Sequence, residues 1–518
     1  MEATIYSLIP PLLALLLVIL TRRVLLSLGI GIIVGAWLLK DLSVTGAISQ
    51  VFESFRIIFG SVNEETNAWE LNTWNVYIII FLLLLGIITA LVSITGGSRA
   101  FGEWALKRVK TRAGAHIVTT LLGLFIFIDD YFNSLAVGQV SRPLTDRHKI
   151  SRAKLAYLID STSAPICVVS PVSSWGAYII GLLVPILAAQ GITEYGALSA
   201  FIQMIPMNLY VIIAIGLVFA VSVYNINIGQ MKKHEQLAIE HNQLTDPRKV
   251  VPGELKNSLP VSNKGTVGDL IIPIISLIVG TVGSMIVTGI LATDGAITAI
   301  TIFENTDVTG SLVYGGLIGV IVTLVTVIKQ RIAPNILGRG IFEGIRSMLS
   351  AIIILIFAWM IVDIIGRLQT GEFLAQLVKD INMDVAYLPL IIFILAGIMA
   401  FATGTSWGTF GIMLPIAGDI AGATDISLLL PALAAVLAGS VFGDHCSPIS
   451  DTTILSSTGA GSNHIDHVIT QLPYAIIAAV ISAIGYLVLG LAGSVLLSIG
   501  ISLLLLVGIV LVLKINRA

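Results

Sequence analysis

Gly443-Asp444-His445-Cys446-Ser447-Pro448-Ile449-Ser450-Asp451-Thr452-Thr453 interrupts an apolar stretch that runs from about residue 428 to 460. Carboxylates, hydroxyls and a proline stand where the surrounding residues read as lipid-facing. Proline removes a backbone donor and biases the residue before it away from helix, so this span is predicted to divide into two half-helices. The same device occurs earlier, inside 155–189. Tyr157-Leu158-Ile159-Asp160-Ser161-Thr162-Ser163-Ala164-Pro165 is followed there by Val169-Ser170-Pro171-Val172-Ser173-Ser174. Irregular backbone at membrane depth is tolerated only where protein or a water-filled cavity satisfies it, so both breaks are candidate binding sites.

The rest of the chain supplies the membrane that these breaks imply. Of 518 residues, 56% are hydrophobic and 11% charged, with a mean hydropathy of +0.98; soluble domains carry about 25% charged residues. Apolar windows of roughly 20 residues predict about eleven spans, near 4–20, 24–39, 73–95, 155–189, 200–224, 268–292, 310–328, 347–366, 428–460, 466–490 and 494–513. The fold class is therefore an all-α polytopic membrane protein. The first run lacks a preceding basic stretch and a small-residue cleavage site, so it reads as a retained span rather than a signal peptide. The net charge of −2 gives no support to a nucleic-acid partner. Cys167 and Cys446 form neither a metal spacing nor a disulfide framework.

Basic loops fix the layout. Residues 96–112 (Arg99, Lys107, Arg108, Lys110, Arg112) and 142–154 (Arg142, Arg147, Lys149, Arg152, Lys154) both belong on the cytoplasmic side. A single crossing between them cannot achieve that, so 113–141 is predicted to be a re-entrant hairpin with its tip at Asp129-Asp130-Tyr131-Phe132-Asn133. The stretch 386–418 reads likewise, with its tip at Thr403-Gly404-Thr405-Ser406-Trp407. The N-terminus then lies outside and the C-terminus in the cytoplasm, in a multi-pass protein of a bacterial-type cell membrane. Outer loops 190–199 and 293–309 contain no Lys or Arg.

Short ordered matches relate the two halves. Phe52-Glu53-Ser54-Phe55-Arg56 recurs as Phe342-Glu343-Gly344-Ile345-Arg346, each on an amphipathic stretch between spans. FIDDYFNS from Phe127 aligns with FATGTSWG from Phe401, and PICVVSPVSSWGA from Pro165 with PISDTTILSSTGA from Pro448. The layout gives the copies opposite orientations, the mark of inverted-repeat transporters, and puts Asp160 and Asp444 at equivalent positions. The organisation is an N-terminal span (1–23), a first repeat (24–224; hairpin 113–141, broken span 155–189) and a cytoplasmic linker (225–267). A connecting span and outer loop (268–309), a second repeat (310–490; hairpin 386–418, broken span 428–460) and a C-terminal span (491–518) complete it.

Intramembrane carboxylates are costly and mark function by default. Asp129, Asp130, Asp160, Asp444 and Asp451 are therefore the candidate cation and proton ligands, with one of the adjacent Asp129 and Asp130 structural. Asn133, Ser161, Thr162, Ser163, Thr405, Ser406, Ser447 and Thr452 can complete the oxygen shell that a hard cation such as Na+ prefers; back-bonding of hydroxyls to their own helix is the competing use. Ser134 and Thr453 belong with them. Trp175 and Trp407 read as packing or gating residues, and Asp363 as interfacial. His445 beside Asp444 is a candidate for proton coupling. His464, Asp466 and His467 read as a solvated cytoplasmic loop, with a pH-sensing or metal role as the alternative. Gly404-Thr405-Ser406-Trp407-Gly408 matches the nucleophile elbow of serine hydrolases, but that motif needs a strand-to-helix turn. The sequence contains no H-E-x-x-H and no Walker A pattern, so no zinc or ATP chemistry is indicated and no cofactor is expected.

The chain resembles the NhaC-type sodium/proton antiporters of the wider ion transporter superfamily. The resemblance rests on Phe127 to Ser134 with Arg142-Pro143-Leu144-Thr145-Asp146, on Leu158 to Pro165, and on Gly443 to Thr453. It implies Na+ and H+ as transported ions, elevator-like movement of the hairpins and broken spans against a scaffold, and a homodimer in the lipid. Relatives of that kind also exchange malate, lactate and similar anions, so a Na+- or H+-coupled carrier of a small organic anion or amino acid is the alternative. An uncoupled channel would not need two inverted sets of acid-bearing breaks.

Overall fold

The computed structural model describes residues 3–21, 23–63, 67–127, 129–171, 173–249, 260–293, 295, 297–370, 372–373 and 385–515. Parts of the predicted linker (250–259), outer loop (294, 296) and first broken span (172) lie outside the described residues. The chain opens with α1 (Ile9–Thr21), α2 (Val24–Leu39) and amphipathic α3 (Val44–Phe59). An antiparallel pair follows, β1 (Gly60–Val62) on β2 (Trp69–Leu71), with Ser61 opposite Glu70. Next come α4 (Thr73–Thr95), α5 (Gly97–Arg108), α6 (Arg112–Phe125), α7 (Asp130–Arg147), α8 (Arg152–Val169), α9 (Ser174–Ala189), α10 (Ala197–Met204), α11 (Leu209–Tyr224) and α12 (Gln230–His241). The second half holds α13 (Gly268–Ala292), α14 (Ala299–Glu304), α15 (Val308–Lys329), α16 (Pro334–Arg367), α17 (Leu388–Thr403), α18 (Ser406–Thr424), α19 (Leu429–Cys446), α20 (Asp451–Ala460), α21 (His464–Ala492) and α22 (Val495–Ile515).

Among the described residues, eight helices are long and apolar enough to cross a membrane, and ten if each of two bent pairs counts as one span. One bent pair is α8 with α9, at 44°; the other is α10 with α11, at 49°. The predicted straight span 200–224 is thus bent, at Asn208, whose side chain accepts the Val211 N–H and restarts the helix. The helices at predicted spans 4–20 and 24–39 have only 13 and 16 residues, less than the roughly 20 a full crossing needs. The second amphipathic segment and its following span merge into one helix, the 34-residue α16.

Small residues set the packing. A Cβ on Gly86 of α4 would lie 2.3 Å from the Gly344 carbonyl oxygen of α16. With α13 and α15, these helices form an outer group. The inner group has its own backbone crossings. Gly443 of α19 faces the Gly397 carbonyl of α17 at 2.1 Å from a built Cβ, and Gly138 of α7 meets Gly459 of α20 at 2.4 Å. In lipid, helix association rests on close packing rather than a hydrophobic drive, and small residues permit it. The hairpins and broken spans therefore converge on α7, α8, α19 and α20, whose polar residues are buried among one another.

Candidate functional site

Both hairpins contain a break, each held by its own side chains. Between α6 and α7, Asp129 is extended at φ −153°. Its Oδ1 accepts the Phe132 N–H at 3.0 Å and its Oδ2 the Ser174 hydroxyl at 3.0 Å. The Asn133 amide donates to the carbonyls of Gly123 and Ile126, 2.6 Å each, the carbonyls that a helix end leaves without partners. Asp129 and Asn133 thus build the break. Asp130 is different: its Oδ1 accepts the Trp175 indole N–H at 2.9 Å, while its buried Oδ2 has no partner among the described residues. In the second hairpin Gly404 takes φ +72°, which glycine adopts without a side-chain penalty. Thr405 accepts the Gly408 N–H, and the Ser406 hydroxyl donates to the Ser440 carbonyl at 3.2 Å and to Oδ2 of Asp444 at 3.0 Å.

The first broken span differs from its prediction. Helix α8 continues through Asp160 to Ser163 and past Pro165 and ends at Val169, and α9 begins at Ser174. A proline costs one donor, and the hydroxyls nearby turn inward to the helix. Thr162 donates to the carbonyls of Leu158 and Ile159, and Ser163 to that of Asp160. Ser161, Thr162 and Ser163 are therefore helical residues, not an unwound oxygen shell. At Pro171 the chain does open, because Ser173 donates to the carbonyls of Cys167 and Ser170 and accepts the Gly176 N–H. The second broken span opens at 447–450, where Ser447 donates to the Phe401 carbonyl at 2.9 Å. Asp444 lies in the last turn before that opening and Asp451 begins the next helix. Asp160 sits in mid-helix, so the two aspartates are not structurally equivalent.

Around Asp444, Ser406 and Thr452 both donate to Oδ2, the latter at 3.2 Å, and buried Oδ1 has no partner among the described residues. The Tyr131 hydroxyl donates to Asp451, which also accepts the Thr452 N–H at 2.9 Å. Around Asp160 the supply is fuller. Oδ1 accepts from Ser456 at 3.1 Å; Oδ2 is met by Gln471 at 2.5 Å, His467 Nε2 at 3.1 Å and Thr453 at 3.4 Å. Thr453 also touches the Asp444 carbonyl, which joins the two centres. Ser134 contacts Ser456 at 3.1 Å. His445 Nδ1 bonds the Tyr210 hydroxyl at 3.1 Å, and its carbonyl accepts from Gln471 at 2.9 Å. The elbow serine Ser406 therefore faces a carboxylate and a carbonyl, while the neighbouring histidine is engaged elsewhere.

Gln471 was not a candidate in the sequence, and His467 was read there chiefly as part of a solvated loop. The segment read as a solvated loop is the first turn of α21, and both His464 and His467 are buried. His464, His467 and Gln471 stand three and four residues apart, which puts them on one helical face; that stripe was the available signal. His464 Nε2 bonds the Pro448 carbonyl at 2.8 Å and so secures the second opening. Asp363 is also tied down, accepting from Ser54 of α3 at 2.6 Å and pairing with Arg367 at 3.0 Å. Both cysteines are buried free thiols. Among the described residues, no group of three or more His, Cys, Asp and Glu side chains is arranged to hold a metal ion.

Cavities approach from two directions. One, of about 360 Å³, reaches Tyr131, Thr405 and Asp451 past Trp74 and Trp407. Another, of about 380 Å³, lies between α4, α7 and α13 and is lined by Arg99, Arg142, Arg147 and Arg152 with Asp146.

Similarity to known proteins agrees with this architecture. The sequence model of the Na+/H+ antiporter family matches residues 166–491. An uncharacterized protein of Haemophilus influenzae is 48% identical over 496 residues, 94% of this chain and 91% of that protein. The malate-2H(+)/Na(+)-lactate antiporter of Bacillus subtilis is 35% identical over 161 residues, 30% of this chain and 32% of the relative. An uncharacterized Na(+)/H(+) antiporter of H. influenzae is 33% identical over 156 residues, 29% and 32% of the two chains. With buried carboxylates gathered at hairpins and broken helices, and a family match over more than half its length, the chain belongs to the Na+/H+ antiporter family.

Proposed function

We propose that this antiporter exchanges Na+ for H+ at Asp444 and Asp130, with Asp451 beside them. The carrying observation is that each of Asp444 and Asp130 has one buried oxygen without a partner among the described residues. A buried unpaired carboxylate oxygen is costly, and either a proton or a hard cation relieves it, so the two ions compete for one position. Ser406, Thr452 and the Asp451 carboxylate supply neutral and charged oxygens of the kind Na+ takes. Asp160, already met by four donors, orders α21 against α8 and connects His467 to the centre. Protonation neutralises Asp444 and releases the cation; deprotonation on the other side recaptures it. In this reading Na+ leaves the cell as protons enter, the inner group of helices moves elevator-like past the outer group, and the protein works as a homodimer with its C-terminus cytoplasmic.

The test is a pH-sensitive dye in proteoliposomes. Asp444→Asn and Asp130→Asn are each expected to lower Na+-dependent proton flux at least a hundredfold, and normal exchange in both variants would sink the assignment. A second reading, coupled exchange of a small organic anion or amino acid, is favoured by the similarity to the malate/lactate antiporter. Adding Na+, Li+, K+, malate, lactate and amino acids in turn separates the two. Flux evoked by an organic solute but by no cation would favour the second.

A further inference from the structure

The cavity of about 360 Å³ that ends on Asp451 is walled by aromatic rings from four separate elements: Trp74 of α4, Tyr131 of α7, Trp359 of α16 and Trp407 of α18. The Trp74 and Trp407 ring centroids are 6.1 Å apart with planes inclined at 65°, and Trp74 meets Tyr131 at 6.4 Å and 64°. Tyr178 stacks on Trp407 at 4.7 Å and 27°, and Trp175 meets the same ring at 5.9 Å and 71°, so that ring is held in place. Tyr178, Trp74 and Trp407 also border an adjoining cavity of about 360 Å³. Asp451 is the only charged residue among the residues described as lining either space.

Membrane-interface anchoring explains a tryptophan such as Trp74, 39% exposed near a helix end. It does not explain Trp407, the second residue of a helix that starts at a hairpin tip. Nor does it explain why rings from four elements surround open space with a carboxylate at one end. Inclined indole faces attract a cation within about 6 Å through the ring quadrupole, and tryptophan does so best. A carboxylate adds charge without imposing the small oxygen cage that Na+ requires. The volume is within the range of about 300–1,000 Å³ usual for small-molecule sites. The arginine-lined cavity beside α4 and α13 has the opposite charge preference.

We propose that this aromatic vestibule binds organic ammonium ions, of the size of tetramethylammonium or choline, over the faces of Trp74 and Trp407 with Asp451 as counter-charge. The vestibule leads to the carboxylate centre, but binding there does not require that Na+ and H+ exchange at Asp444.

Isothermal titration of the purified full-length protein with choline chloride, and with its uncharged isostere 3,3-dimethylbutan-1-ol, tests the proposal. Choline is expected to bind saturably and the isostere at least tenfold more weakly. Trp407→Leu is expected to lose at least tenfold in choline affinity, and Trp407→Phe and Trp74→Phe, which keep a ring and the packing, a smaller factor. Equal binding of choline and the isostere overturns the proposal, because it marks a merely apolar pocket. So does the absence of saturable choline binding, or wild-type affinity in all three variants. Na+-dependent proton flux, measured on the same preparations, separates this from the exchange reading: intact flux without choline binding defeats only the vestibule, and choline binding without Na+ flux defeats only the exchange.

Discussion

Asp160 and Asp444 are both buried carboxyl side chains, yet donors meet both oxygens of one and leave an oxygen of the other without a partner among the described residues. In the proposed exchange that difference gives them different work. His467 is the imidazole among the four donors to Asp160. Replacing it by alanine strips a buried carboxylate of a partner and is expected to cost about 1–3 kcal/mol, visible as a lower melting temperature in detergent. His467→Gln retains a donor and is expected to recover most of that stability; a glutamine variant as unstable as the alanine one would overturn the hydrogen-bond role. The carboxylates were legible in the sequence because a charge in an apolar run has few innocent explanations. Gln471 was not, and His467 was read chiefly as a loop residue, because the span was begun at residue 466 and its polar stripe was divided between loop and helix. For Thr162 and Ser163 two uses stayed open, because composition cannot distinguish an oxygen offered to an ion from one spent on the helix's own carbonyls, to which both donate here.

Breaks and crossings of helices are where the fold is most exposed to substitution. A Cβ at Gly443 would stand 2.1 Å from the Gly397 carbonyl oxygen and 2.7 Å from the Phe401 nitrogen, backbone atoms that cannot step aside. Gly443→Ala is therefore expected to destabilise by about 1–3 kcal/mol. Gly508→Ala in α22, with nothing within 4 Å, is expected to be neutral or to stabilise by up to about 1 kcal/mol; paired thermal melts would check both. The linker helix α12 responds to pH instead. Burial holds the His234 imidazole below its ordinary 6.5 against the pull of Asp466 and Glu235, while Lys249 and Lys233 add to the depression. The docked helix therefore resists protonation that the undocked one accepts. Docking is full above 6.5 and weakens as pH falls through that value. Relative to the intrinsic base-catalysed rate, amide protection across 230–241 should be lower at about pH 5.5 than at about pH 7.5, with the difference reduced in His234→Gln. Whereas Pro165 lies inside a continuing helix, the helix breaks at Gly404 and Pro448 could be read from glycine and proline. The merging of the second amphipathic segment into α16 could not, because only packing against α4 through Gly86 and Gly344 decides whether a helix bends there.

At the scale of the molecule, two groups of helices meet along a seam that the proposed elevator-like exchange requires to slide. One seam contact is specific: the Thr89 hydroxyl of α4 donates to Oε1 of Gln139 on α7 at 2.9 Å, while the Gln139 amide nitrogen is buried without a partner among the described residues. Both residues line the arginine cavity. A single hydrogen bond contributes only about 0.5–1.5 kcal/mol and is easily exchanged, which suits a sliding contact; the backbone-close crossings of Gly138 with Gly459 and Gly443 with Gly397 lie within the inner group and suit a body that moves as a unit. Thr89→Cys with Gln139→Cys tests this division, since Cys167 and Cys446 are buried and little disposed to compete for an oxidant. Cross-linking the pair in proteoliposomes is expected to abolish Na+-dependent proton flux, and reductant to restore it. Flux that persists through the cross-link would mean that α7 and α4 stay together during exchange, and that access alternates by rearrangement of the hairpin tips alone.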